Sequence, residues 1–265
     1  NNNDLNEALY KASNLGFVPT MGGLHKGHIS LIKRSIRECK KTIVSIFINP
    51  TQFNDKKDYK KYPRNNKKDL SILKKLNVDF VYLPTVNEIY FKKRQGKIRL
   101  NKKDQILCAK YRKGHFEGVI DVMDRLTKLI KPKKIFMGEK DFQQLYLVKN
   151  FLKKKHFSKI IGCKTIRDKN KLALSSRNLL LSKDCLLKAS KLIQELILFK
   201  KRFNKKNNIN QILIIKKKEL IKLYNVKVEY LELRNIKNFK LSNKFKNSKI
   251  FIAFYLNKIR LIDNI

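Results

Sequence analysis

Two histidines three residues apart, His25 and His28, stand in a stretch that also carries Gly22, Gly23 and Gly27. The run from Phe17 to Ile32 reads as the end of a strand, a glycine-rich turn and the start of a helix. Glycine lets a backbone bend tightly and approach a ligand closely. A helix opening near His28 would turn its unpaired N–H groups and positive dipole end toward whatever sits in that turn. Such a place is an anion site, and phosphate is its usual guest. The two imidazoles add side-chain donors at the same spot.

The pattern is neither G-x-G-x-x-G nor G-x-x-x-x-G-K-[ST]. It is H-x-G-H after a strand, the mark of nucleotidyltransferases that move an adenylyl group. Four residues alone fit a pair of surface or helix-capping histidines equally well, and the strand–turn–helix context favours chemistry. Zinc is the poorer reading, because H-x-x-H supplies two ligands and no nearby Cys or third His completes a set.

The elements that must position these residues follow from a pass along the chain. Residues 5–15 read as a helix running into a strand at 16–19, then a helix at 28–39 with Ile29, Ile32 and Ile36 on one face. Residues 42–48 are a short apolar, β-branched run, which is how a buried parallel strand reads. Pairing must stop at Asn49-Pro50. Ligands of open α/β sheets bind beyond the carboxyl ends of strands, which places Asn49 and Gln52 where a substrate would sit. A polar loop is expected from Asp58 to Arg64, a helix at 66–76, a strand at 78–83, and a basic loop with one edge strand at 91–105. Helix 117–130 puts Val119, Val122, Met123, Leu126, Leu129 and Ile130 on one stripe. Strand 134–137, helix 141–153 and strand 159–166 follow. Gly138 to Asp141 reads as a repeat of the strand-to-helix anion site of the opening stretch.

Alternating strands and helices argue for a Rossmann-like, doubly wound, mostly parallel sheet over residues 1–166. Beyond it, helices at 183–203 and 208–223 and strands at 226–233, 249–256 and 258–262 suggest a smaller α+β domain over 167–265. Residues 201–210 read as a connector.

The chain has 265 residues, enough for one large or two modest domains, and 42% of them are hydrophobic. Its formal charge of +42 brings nucleic acid to mind. The lysines are spread through the whole chain, however, beside abundant Asn and Ile, which points to compositional drift and solvated faces rather than a groove. No specific nucleic-acid partner and no membrane are therefore expected. No apolar run approaches the roughly 18 residues of a membrane span. The chain opens at Asn1 without Met, so its natural N-terminus is expected upstream. Cys39, Cys108, Cys163 and Cys185 form no C-x-x-C and read as reduced thiols of a cytoplasmic protein.

Several blocks in order resemble one family, the pantoate–β-alanine ligases. They are Pro19 to His28, Ser45 to Phe53, Tyr62-Pro63-Arg64, Gly114 to Val119, Gly138 to Gln144, Leu172 to Asn178, and Arg260 to Asn264. The resemblance runs from about residue 5 to Ile265. It implies an ATP-dependent ligase that condenses pantoate with β-alanine to pantothenate. Pantoate's carboxylate attacks the α-phosphorus of ATP, and the amine of β-alanine then attacks the resulting acyl adenylate. It also implies Mg²⁺ with the ATP, a homodimer, and a C-terminal domain acting as a lid.

Site residues carry over by position. The resemblance assigns ATP binding to Met21, Gly22, Gly23, Leu24, His25, Lys26, Gly27 and His28, to Gly138, Glu139, Lys140 and Asp141, and to Ile166, Leu174, Ser175, Ser176 and Arg177. His28 is the proton donor to departing pyrophosphate, a role suited to a side chain that titrates near neutrality. Gln52 and Gln144 would hold pantoate, and Gln52 also β-alanine, because amides donate and accept without adding charge. Asp69 would touch Mg²⁺ indirectly, and His115 and Arg112 are given no catalytic role.

Departures accompany the match. Asn170-Lys171 stands where the family has Asp-Gly, and Asp121, Arg125 and Thr127 where it prefers Thr, Lys and Phe. Asp121 is expected to weaken pantoate binding. The family's first strand would begin before Asn1. Two other readings share part of the pattern: a different H-x-G-H nucleotidyltransferase with a phosphorylated acceptor, and a basic nucleic-acid-binding module.

Overall fold

The computed structural model describes residues 1–92, 96, 98–202 and 209–265. Parts of the expected edge strand at 91–105 and of the connector at 201–210, and the helix ends at 203 and 208, lie outside them. The chain forms two compact units, Asn1–Thr165 and Ile166–Ile265.

The first unit opens with helix α1 (Asn2–Leu9), capped by the Asn1 side chain, and strand β1 (Leu15–Thr20). Helix α2 (Lys26–Glu38) and strand β2 (Lys41–Ile46) follow. Residues 50–52 make a 3₁₀ turn after β2, as the Asn49-Pro50 stop requires. Next come α3 (Lys56–Lys61), α4 (Asn66–Lys75) and β3 (Phe80–Tyr82). Then α5 (Val86–Tyr90), α6 (Cys108–Tyr111) and α7 (His115–Ile130) lead to β4 (Lys134–Gly138). Helix α8 (Phe142–Leu152) and strand β5 (Lys159–Cys163) complete the unit.

All five strands pair in parallel in the order β3-β2-β1-β4-β5. The order reverses between β1 and β4, the switch point at whose carboxyl edge doubly wound sheets hold ligands. Alternation along each strand serves two cores. Phe17, Ile43 and Ile135 face the apolar sides of α7 and α8, with Leu126, Val148 and Leu152. Val18, Val44 and Phe136 face Leu31 and Ile32 of α2 and Leu73 of α4. A one-residue slip of any strand would exchange the two sets.

Several expectations need correction. The Asp58–Arg64 loop begins inside helix α3, capped by Asp55. Helices α5 and α6 stand on either side of the expected basic loop, where no element was expected. The core face of α2 is Leu31, Ile32 and Ser35, while Ile36 is exposed: at 100° per residue Leu31 and Ser35 lie on one side of Ile32 and Ile36 on the other, and the sheet covers the first side.

The second unit contains α9 (Lys183–Arg202), α10 (Ile209–Tyr224) and an antiparallel sheet of β6 (Lys227–Asn235), β7 (Ser248–Leu256) and β8 (Ile259–Asn264). Leu192, Ile193 and Leu196 of α9 and Leu213 and Leu220 of α10 pack on Val228, Ile252 and Phe254 of the sheet.

Candidate functional site

The first turn is fastened before it reaches the histidines. Thr20 at the end of β1 donates its hydroxyl to the Ser45 carbonyl of β2 at 2.7 Å and accepts the Gly22 N–H at 3.2 Å. Gly22 and Gly23 then take φ of +79° and +63°, the left-handed region that glycine enters without strain. This conformation aims the N–H groups of Gly23 and Leu24 at the two oxygens of Asp69, each at 2.8 Å. Asp69 is buried on α4, one turn before the core residue Leu73. The turn therefore closes on an internal carboxylate, and these two amides do not await a ligand. Both Asp69 oxygens are engaged with backbone, which bears on the expected Mg²⁺ contact.

The histidines cap the helix and each other. His25 is the N-cap of α2, and its Nδ1 accepts the Gly27 N–H at 3.1 Å. The His25 N–H donates to His28 Nδ1 at 3.3 Å. The rings lie 4.1 Å apart, centroid to centroid. Each imidazole thus accepts at Nδ1, so when neutral it carries its proton on Nε2. Gly27 is what lets His25 lie down: a Cβ there would meet the ring at 2.7 and 2.9 Å.

Burial lowers the pKa of His25 to about 4, with Lys140 adding repulsion and Asp141 opposing it. Burial lowers that of His28 to about 3, aided by His25 and by Lys140, again against Asp141. This corrects the expectation of titration near neutrality. At pH 7 both side chains are neutral N–H donors.

The same electrostatics place Lys140 beside the pair. It sits in the 3₁₀ turn Glu139–Asp141 between β4 and α8, largely buried, with its Nζ 3.4 Å from Asp141 Oδ1. The turns after β1 and β4 therefore meet at the switch point. The second is not a repeat of the first. Gly138 has φ −75° and ψ 134°, open to any residue, and a Cβ there would touch nothing within 4 Å.

A third segment joins them. Gln52 is buried, donates from Nε2 to Met21 Sδ at 2.9 Å and accepts from Asn49 Nδ2 at 3.2 Å. Asn49, fully buried, also donates to the Gly118 carbonyl at 3.1 Å and accepts the Tyr90 hydroxyl at 2.7 Å. Gln143 and Gln144 separate cleanly. Gln143 is buried and pins the 104–108 segment, accepting the Cys108 N–H at 3.0 Å and donating to the Ile106 carbonyl at 2.7 Å. Gln144 is half-buried. Asp121 is answered by Arg125 at 3.1 Å, so two departures from the family pattern compensate each other. Leu24 is buried and Lys26 is exposed.

Ile166, Leu174, Ser175, Ser176 and Arg177 belong to the second unit. The Leu174 N–H donates to the Ile166 carbonyl at 3.0 Å, and Arg167 pairs across with Ala173. Arg167 also grips buried Asp263 with two nitrogens at 2.6 and 2.9 Å, fixing this hairpin to β8. Lys171, in place of the family's glycine, stands at φ +70°. Ser175 caps the following 3₁₀ turn by accepting the Arg177 N–H at 3.3 Å, and Ser176 is buried.

Sequence reasoning missed Asp69 as the anchor of the first turn, and Asn49 as the hub under Gln52. Asp69 had one available signal: it lies four residues before Leu73, on the face of α4 that the core claims.

Residues 2–265 match the family model described as pantoate-beta-alanine ligase. A pantothenate synthetase of Flavobacterium psychrophilum is 40% identical over 257 residues, covering 95% of this chain and 91% of its own. One from Campylobacter hominis is 42% identical over 256 residues, covering 95% and 92%. Among solved structures, a pantothenate synthetase from Thermus thermophilus superposes with a TM-score of 0.90 at 30% identity, covering 98% of this chain and 96% of that one. The pantoate-beta-alanine ligase of Francisella tularensis, complexed with beta-gamma ATP and beta-alanine, gives 0.84 at 37% identity, covering 100% and 95%.

Proposed function

The chain belongs to the family of pantoate–β-alanine ligases, ATP-dependent enzymes that make pantothenate, and we propose that its chemistry is done at the two turns flanking the sheet's switch point. The observation that carries this reading is the meeting of two neutral imidazoles and a largely buried lysine at the carboxyl ends of β1 and β4.

In the first step a carboxylate oxygen of pantoate attacks the α-phosphorus. The new P–O bond forms as the bond to the bridging oxygen breaks, and pyrophosphate leaves. Negative charge builds on the phosphate oxygens, where fixed cations and N–H donors stabilise it. Lys140 supplies the charge at the α-phosphate. His28 supplies an N–H from Nε2 to the leaving pyrophosphate, and His25 does the same beside it. The phosphates of bound ATP oppose Lys140, so the imidazoles gain proton affinity once the nucleotide arrives.

In the second step the amine of β-alanine attacks the acyl carbon. A C–N bond forms, the acyl–phosphate C–O bond breaks, and AMP departs. Gln52 holds pantoate and β-alanine in turn, and half-buried Gln144 holds pantoate. Met21 to His28 and Gly138 to Asp141 form the nucleotide site of the first unit, Asn1–Thr165, which serves as the ATP- and pantoate-binding domain. The second unit, Ile166–Ile265, serves as the lid, with Ile166, Leu174, Ser175, Ser176 and Arg177 as nucleotide contacts.

Mg²⁺ would neutralise the triphosphate. Among the described residues no three or more His, Cys, Asp or Glu cluster as a metal site, and Asp69 spends both oxygens on backbone. Magnesium keeps several waters and binds chiefly through substrate phosphates, so the ion would ride on the nucleotide's oxygens. Four free cysteines support a cytoplasmic protein, and the family resemblance supports a homodimer, which sedimentation would check.

The test is direct. Incubated with ATP, pantoate and β-alanine, the protein should release AMP and pantothenate. Without β-alanine it should exchange labelled pyrophosphate into ATP only when pantoate is present. No AMP above a His28→Ala control would end the proposal. Exchange driven by a phosphorylated acceptor instead of pantoate would replace the substrate.

A further inference from the structure

We propose that His115 and Arg112 are positioning residues for Gln52, and that they set affinity for the two carboxylate substrates without touching them. The proposal rests on the reading of Gln52 given above.

Gln52 sits in the 3₁₀ turn Pro50–Gln52, a short element that cannot hold itself rigid. Its backbone is held from outside. His115, buried at the first position of α7, has Nδ1 2.6 Å from the Gln52 carbonyl oxygen. Arg112 Nη1 lies 2.8 Å from His115 Nε2. A guanidinium only donates, so Nε2 accepts and the ring proton is confined to Nδ1. The imidazole is thereby fixed as a donor to Gln52, and Arg112 Nη2 points to the same carbonyl at 3.5 Å. A third-party group that selects a histidine tautomer is a common way to orient a functional neighbour.

The rest of the contact shows that α7 and the turn are built as one piece. A Cβ on Gly118 would meet the Thr51 carbonyl oxygen at 2.5 Å and the Gln52 nitrogen at 2.9 Å, so only glycine permits this approach. Asn49 closes the other side through the Gly118 carbonyl and the Gln52 amide, and Asn54 Nδ2 donates to the Lys113 carbonyl. Losing the His115 donor frees the Gln52 backbone on one side only. The amide then drifts from the acid it should grip, while the turns that hold ATP keep their own fastenings to Asp69 and Ser45. Misplacement by about an ångström can cost on the order of 10² in rate or affinity.

The experiment is steady-state kinetics on His115→Ala, His115→Asn, Arg112→Ala and Gln52→Ala, with folding checked by circular dichroism. His115→Ala should raise KM for pantoate and β-alanine at least about tenfold and leave KM for ATP within about twofold. His115→Asn, whose amide can donate where Nδ1 did, should recover part of the loss, and Arg112→Ala should fall between. A folded His115→Ala with unchanged pantoate KM overturns the proposal, as does a parallel rise in ATP KM. If His115→Ala does not fold, Arg112→Ala decides by the same split. Gln52→Ala separates the two levels: if it leaves pantoate KM unchanged, the reading of Gln52 itself fails. If only Gln52→Ala raises it, the relay alone fails.

Discussion

The turns after β1 and β4 look alike in sequence, each a glycine beside ionisable side chains between a strand and a helix, yet they are made differently. The first is wired internally: Asp69 takes two of its amides, Thr20 ties its start, and the histidines cap the helix it feeds. In the proposed reaction it offers the phosphates the Nε2 edges of two imidazoles. The second has an ordinary backbone at its glycine, and contributes chiefly the charge of Lys140. One turn offers directed neutral donors and the other offers a cation. A glycine between strand and helix does not by itself mean a backbone cradle for phosphate. The atom that a Cβ would strike tells which glycine is required.

The largest expected effect lies in the charge. Lys140→Gln should lower kcat about 10²-fold, in the range seen when one group that stabilises transition-state charge is removed. The same change should raise the pKa of both His25 and His28, since Lys140 lowers both. Carbon-13 titration of the imidazoles would show it, and unmoved histidines would mean the two turns do not share a field.

Next come the glycines. Gly27→Ala should push the His25 ring off its seat and cost about tenfold in kcat/KM. Gly138→Ala has open space and an ordinary backbone, and should change activity by less than about twofold. Equal losses in both would erase the contrast between the turns and imply a ligand pressed against Gly138.

The histidines also give pH its sign. Their folded pKa values lie below the ordinary 6.5, so between about pH 6.5 and 3 the unfolded chain binds protons that the folded chain refuses. Stability present above pH 6.5 is lost as pH falls through that window. Urea midpoints should decline there in the parent protein and less steeply in His28→Asn.

The smallest effect belongs to the second unit. Lys171 bears left-handed strain of about 1 kcal/mol, partly offset by the greater chain entropy of glycine. Lys171→Gly should therefore stabilise by about 0.5 kcal/mol in urea unfolding, and a loss would show the lysine making contacts that compensate.

Much of this was legible in the chain. Residues 42–48 announce a buried parallel strand because both faces are covered, and the H-x-G-H follows a strand as that chemistry requires. Helices α3 and α5 were missed because elements so short show no period. They are set by their caps, Asp55 and the Thr85/Glu88 capping box, and the T-x-x-E of the latter was there to be read. The depressed pKa values could not be read, since burial and Lys140 come from elements far apart in the chain. The pairing of Asp121 with Arg125 was there to be read as well, since helix 117–130 sets the two four residues apart on one face.

Because the amides of Gly23 and Leu24 already hold an anion of the protein's own, the Asp69 carboxylate, the loop is shaped before any guest comes. A visiting triphosphate need spend none of its affinity on ordering it. Selection on this stretch is then partly selection for a resident guest, and a chain that lost Asp69 would retain every histidine while having to remake their platform at each turnover.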